Sequence, residues 1–141
     1  MKNIWKQEFT IAYYNEFAQD SIVGYLGIVF TEKGKDFLKG TMPVDKKTIQ
    51  PHGILHGGAS VVLAETLGSA ASSMAVDDKH YTVGMEVNAN HIKSVTEGIV
   101  TGTARPVHLG NTTHVWDIMI KNEKRQLTCM SRLTMAVLKT K

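Results

Sequence analysis

In GILHGGASVVLAETLGSAASS, residues 53–73, a single carboxylate stands among small and apolar side chains. It is Glu65, and the stretch around it has the composition of a buried helix. A carboxylate there is costly unless it is paired or hydrogen-bonded. Ser69 lies one turn later, at i+4, within hydrogen-bonding reach. His56, Gly57 and Gly58 open the same helix. The first backbone N–H groups, at Gly57 and Gly58, would point outward with the positive end of the helix dipole. Glycine lets a ligand oxygen come close to them. Such a start would hold an anion or the oxygen of a polarised carbonyl, with Glu65 as the acidic group acting on it. Two plainer readings compete. Glu65 would also suit the one solvent-facing stripe of the helix, and Gly57-Gly58 would also suit ordinary turn and cap chemistry.

Spacing sharpens the choice. Glu65 lies eight residues beyond Gly57, or ~12 Å along a helix axis. One carbonyl cannot be held at the helix start and attacked by Glu65 of the same helix. The catalytic reading therefore demands two antiparallel helices, the start of one beside the second turn of the other. A homodimer with two sites, each built from both chains, supplies that through its two-fold axis.

The rest of the chain must position this helix. TIAYYNEFAQD, residues 10–20, carries Ile11, Tyr14, Phe17 and Ala18 at helical spacing, which predicts a short amphipathic helix. GYLGIVFTEKGKDFLKGTMPV, residues 24–44, reads as two strands around a turn at 32–35. DKKTIQPHG is a loop in which Pro51 biases Gln50 toward an extended conformation. The long helix is expected over 58–76, its alanines, serines and Gly68 allowing close approach to a sheet. Residues 81–92, 98–108, 112–121 and 126–138 are β-rich, separated by short turns and with no helix between them. They predict an antiparallel meander, and the whole an α+β fold in which one sheet wraps one long helix.

Composition narrows the function classes. The chain of 141 residues is 43% hydrophobic and 21% charged, with a formal net charge of +3; this suits a single domain, 1–141, with its own core. The basic residues are scattered and not interleaved with aromatics, which argues against nucleic-acid binding. No apolar run approaches the ~20 residues that span a bilayer, and the N-terminus lacks the pattern of a secretory signal. Cys129 is the single cysteine, so no internal disulfide forms, as expected of a cytoplasmic protein. Its strand position suits a small buried hydrophobe better than a thiolate nucleophile. The six histidines form no HExxH, and no CxxC is present, so no metal site is expected. GASVV is not the GxSxG of a serine hydrolase, and Ser60 falls inside the helix.

QPHGILHGG followed by ASVVLAETLGS resembles the hotdog-fold acyl-CoA thioesterases, in the 4-hydroxybenzoyl-CoA thioesterase-like branch that carries its acid on the central helix. MPVD before the motif, then VGMEVNANHIKS, PVHLGNTTHVWDI and SRLTMAVL after it, extend the likeness over nearly the whole chain without gaps. Within that branch it looks closest to the 1,4-dihydroxy-2-naphthoyl-CoA hydrolases of menaquinone synthesis and the proofreading thioesterases of enterobactin synthesis.

The resemblance implies a hotdog fold, dimers whose sheets join edge to edge, and often dimers of dimers. It implies that Glu65 is the nucleophile or the general base for water, that the Gly57 N–H helped by His56 polarises the thioester carbonyl, that Gln50 positions the acyl group or water, and that Ser69 supports hydrolysis beside Glu65. Gln50, His56 and Gly57 would come from one chain, Glu65 and Ser69 from the other. Coenzyme A, as part of the substrate, would lie along Gly84, then His91, Ile92, Lys93 and Ser94, and His108, Leu109, Gly110, Asn111, Thr112 and Thr113. His52 stands where relatives often carry an aromatic wall of the acyl pocket. The implied reaction is hydrolysis of an acyl-CoA, with a preference for aromatic acyl groups, to the free acid and coenzyme A, without metal or redox cofactor. Two other readings stay open: an acyl-thioester dehydratase or hydratase on the same fold, which leaves the thioester intact, and an idle acyl-CoA-binding module, which releases no thiol.

Overall fold

The structure is a computed structural model that describes residues 2–141. Its elements run α1 (Ile11–Ala18), α2 (Ile22–Tyr25), β1 (Val29–Lys33), β2 (Leu38–Pro43), α3 (Gly57–Met74), β3 (His80–His91), β4 (Ile99–Leu109), β5 (Thr113–Lys121) and β6 (Leu127–Lys139). All six strands form one antiparallel sheet in the order β1-β2-β4-β5-β6-β3, and α3 packs against five of them. This is the expected α+β arrangement. Among the described residues no helix is long and apolar enough to cross a membrane.

Alternation drives the sheet. His114, Trp116, Ile118 and Ile120 of β5 and Cys129, Ser131, Leu133 and Met135 of β6 are buried, and their neighbours on the outer face are more exposed. That period of two leaves one face of the sheet free to cover α3. α3 answers with Leu63, Ala64, Leu67 and Ala71, all fully buried.

Glycines set how closely the two layers meet. Gly40 and Gly102 are register partners on β2 and β4, and Leu67 fills the notch they leave. A Cβ at Gly102 would lie 2.6 Å from Leu67 Cδ1, and one at Gly40 2.8 Å from Leu67 Cδ2. The reverse contact seats Leu133 against Gly68, where a Cβ would meet Leu133 Cδ2 at 2.6 Å.

Three expectations need correction. The first hairpin turns at residues 34–37, not 32–35, because Glu32 and Lys33 stay in the ladder opposite Lys39 and Leu38. The Gly34 N–H then closes the turn on the Phe37 carbonyl at 3.0 Å. Residues 24–25 are not strand but the end of α2, a single turn capped by the Ser21 hydroxyl, which accepts from the Val23 N–H. The last four strands are antiparallel but do not form a simple meander. β4, β5 and β6 are consecutive neighbours, whereas β3 lies at the far edge beside β6 and β4 pairs with β2. The link over 92–98 is too long for a tight hairpin. It runs along the loop that leads from β2 to α3, where the Val95 carbonyl accepts from Leu55 N–H at 2.7 Å and the Gly98 carbonyl from Val44 N–H at 2.8 Å.

One polar pair is sealed in the core. His114, 3% exposed, has its Nδ1 2.7 Å from the Ser72 hydroxyl of α3. Burial, with smaller contributions from Lys6 and His108, depresses its pKa to about 4. The unfolded chain takes up this proton near pH 6.5 and the folded chain only near 4, so stability is lost as pH falls through that window. The loss amounts to about 3 kcal/mol at most. Urea unfolding across the window should show this slope in the native chain and a much flatter one in His114→Gln; equal slopes would contradict the assignment. Gly102→Val, which drives methyl groups into Leu67, should lower the unfolding free energy by about 1–3 kcal/mol, read from the urea midpoint.

Candidate active site

The loop before α3 is built to deliver His56 and Gly57. Thr48, 1% exposed, donates its hydroxyl to the Pro43 carbonyl at 2.8 Å and accepts from the Asp45 N–H at 3.0 Å. Its carbonyl receives the His56 N–H at 2.8 Å, and a bridge between Ile49 and Leu55 closes the loop. Sequence reasoning missed Thr48. The signal was DKKT, a hydroxyl three residues after an aspartate in a position to make a local turn.

His56 is the N-cap of α3, and its Nδ1 accepts from the Gly58 N–H at 2.8 Å. Nδ1 accepting puts the proton of the neutral ring on Nε2. The two free amides expected at the helix start are therefore one. Gly58 is satisfied by the imidazole, and the Gly57 N–H has no partner among the described residues. The cap also leaves His56 with an Nε2–H donor beside that amide.

Gly57 has a steric reason to be glycine. A Cβ there would lie 2.7 Å from His91 Nε2, so the imidazole at the end of β3 occupies that space. Around this point a cleft of about 300 Å³ is lined by Gln50, Ile54, Leu55, Gly57, Ser60, His91, Ile92, Lys93, Ser94 and Thr128. Among the described residues no acidic side chain lines it, and the helix start and Lys93 make it suit an anionic ligand. The Gln50 carboxamide oxygen accepts from the His52 N–H, which leaves its NH₂ group free to donate. His52 is exposed on the same loop.

Glu65 belongs to a second place. It is exposed, and its Oε1 would lie 2.9 Å from a Cβ at Gly84, so the carboxylate rests on the backbone of β3. Ser69, one turn on, is half-buried, and no side-chain hydrogen bond joins it to the Glu65 carboxylate among the described residues. Gly84 is seven residues from His91 on β3, or ~20 Å along the strand. Gly84 therefore lies beside Glu65 and not with His91, Ile92, Lys93 and Ser94. The hairpin of His108, Leu109, Gly110, Asn111, Thr112 and Thr113 belongs to the same end of the sheet, since Leu109, His114, Met135 and Gly84 share one row across four strands.

The expected site residues thus fall into two groups, one at the His91 end of β3 and one beside Gly84, seven residues back along the strand. Gln50, His56, Gly57 and residues 91–94 form one; Glu65, Ser69, Gly84 and residues 108–113 form the other. A single chain does not bring the free amide and the carboxylate to one ligand atom. Cys129 takes no part: it is 1% exposed, and burial pushes its thiol pKa up.

Comparison with known proteins bears on what such an arrangement does. The pattern of the thioesterase superfamily matches residues 52–129. A 1,4-dihydroxy-2-naphthoyl-CoA hydrolase of Escherichia coli is 49% identical over 135 residues, 96% of this chain and 99% of its own. A proofreading thioesterase of Cronobacter sakazakii is 45% identical over 135 residues, 96% of this chain and 98% of its own. The crystal structure of a thioesterase of Haemophilus influenzae superposes with a TM-score of 0.95 at 45% identity, covering 96% of this chain and 95% of that one.

Gly57→Ala tests the packing at the helix start. Alanine is the better helix former by ~1 kcal/mol, so stability should hold while the new methyl displaces the His91 ring. Nuclear magnetic resonance of the imidazole groups should show His91 shifted and His114 unmoved; an unmoved His91 would contradict the contact.

Proposed function

The chain belongs to the thioesterase superfamily and has its hotdog fold, and we propose that this thioester hydrolase acts on aromatic acyl-CoA esters, of which 1,4-dihydroxy-2-naphthoyl-CoA is the first candidate. The 49% identity to a hydrolase of that ester, over almost the full length of both chains, supports the substrate class. The names of the relatives favour hydrolysis over dehydration and over idle binding. With that substrate the reaction would serve menaquinone synthesis.

The observation that carries the mechanism is the division of α3, an unpartnered amide at Gly57 and an uncovered carboxylate at Glu65 eight residues on. We take the working unit to be a two-fold dimer. β3 is an edge strand of 12 residues, with its outer backbone groups open to pairing. Pairing β3 with its copy about a two-fold axis would lay the two α3 helices side by side and antiparallel.

In that dimer the thioester oxygen would accept from the Gly57 N–H, with the His56 Nε2–H as second donor, and the developing oxyanion gains most from both. Gln50 would orient the acyl carbonyl or the water through its NH₂. The partner subunit's Glu65 would then attack the carbonyl carbon itself or deprotonate a water that does so. The partner subunit's Ser69 would hold that water. The C–S bond breaks, and the products are the free acid and coenzyme A, with water as the sole co-substrate. The phosphates of coenzyme A would follow Lys93 and Ser94 out of the cleft, while Gly84 and the 108–113 hairpin border the site from the chain that supplies Glu65.

Thiol release from 1,4-dihydroxy-2-naphthoyl-CoA, benzoyl-CoA and short alkyl-CoA esters tests the proposal. The naphthoyl ester should be turned over fastest, and Glu65→Ala should lose about 10²–10⁴-fold in kcat with an unchanged circular dichroism spectrum. Full activity in Glu65→Ala, or no preference for aromatic esters, would overturn it.

A further inference from the structure

The thioester chemistry above leaves one charge without a partner: the electron pair that settles on sulfur as the C–S bond breaks. We propose that His91 is a catalytic residue that donates a hydrogen bond to the departing thiolate. This inference rests on the hydrolase reading and adds a role to it.

The Nε2 edge of the His91 ring faces the helix start, 2.7 Å from where a Gly57 Cβ would stand. Among the described residues no side chain or backbone group hydrogen-bonds either ring nitrogen of His91, so its N–H is available to a ligand. Gly57 and His91 line one cleft, which continues to Ile92, Lys93 and Ser94. In a thioester the oxygen and the sulfur are bonded to the same carbon. With the oxygen on the Gly57 amide and the coenzyme leading toward Lys93, the sulfur passes the imidazole first.

His56 does not serve instead, because its Nδ1 is engaged at Gly58 and the proposed mechanism assigns its Nε2–H to the carbonyl oxygen. The absence of a side chain at Gly57 is what lets the ring come this near.

The step balances without a further reactant. The nucleophile forms its bond to the carbonyl carbon, the C–S pair passes to sulfur, and the thiolate leaves while accepting from the imidazole N–H. The thiolate takes up a proton from solvent, equivalent to the one given up by the attacking water.

A leaving-group comparison tests this. Two thioesters of the same aromatic acid are used, one with coenzyme A, an alkyl thiol of pKa ~8.5 by analogy with cysteine, and one with a nitro-substituted thiophenol, whose thiolate is stable without help. His91→Ala should lower kcat for the coenzyme A ester by about 10–100-fold, the size expected for a hydrogen bond to a charged group. The thiophenol ester should change by less than about 3-fold, and His91→Gln, which keeps a donor, should recover part of the loss. Equal losses on both esters would put the imidazole on the carbonyl and overturn the proposal, as would no loss on either or a change confined to KM. A native chain that releases neither thiol would instead overturn the hydrolase reading itself.

Discussion

A helix cannot fold its second turn back onto its own start. Gly57 and Glu65 share one straight helix, and ~12 Å of rigid backbone separates them. Whatever ligand the Gly57 amide holds, the Glu65 of that chain does not act on it. Every other feature of the site follows from how the fold treats these two positions. The loop at Thr48 and the cap at His56 spend the amide of Gly58 but leave that of Gly57. β3 offers Glu65 a bare backbone at Gly84, and among the described residues the carboxylate has no side-chain partner.

The core holds that geometry. Leu67 sits in the notch of Gly40 and Gly102, and Leu133 presses on Gly68, so α3 lies close to the sheet. Both contacts fall within three residues of Glu65. They leave its flank of the helix facing β3, the edge strand of the sheet among the described residues. The small residues of α3 and the glycines of β2 and β4 thus serve the site as well as the core.

The long helix and the last four strands were legible in the sequence because their hydrophobic periods are strong and glycines or polar turns separate them. The α3 bounds of 57–74 fall within two residues of those expected. Strand order was not legible. Alternation says which residues of β3 turn toward the helix side but not which strand it pairs with, and the 92–98 link is long enough to reach either side of the sheet. The shifted first hairpin has the same cause, since Glu32 and Lys33 are polar yet pair in an edge strand, where Glu32 stays in water and the Lys33 ammonium finds the Phe9 carbonyl.

Site residues were legible by type and not by grouping. Glu65 and Gly57 stand out as candidates by residue type, and their spacing calls for a second chain on the catalytic reading. That Gly84 stands apart from residues 91–94 depends on the direction of β3 under α3, which no local pattern records. That His56 consumes the Gly58 amide depends on a rotamer. The two-chain site is tested most directly by mixing inactive variants, because complementation reads composition and not merely loss. Gln50→Ala and Glu65→Ala chains, each inactive alone, are unfolded together and refolded. Sites built from both chains should regain up to about a quarter of native thiol release, since half the dimers are mixed and one of their two sites is intact. No recovery despite confirmed mixed dimers would contradict the account.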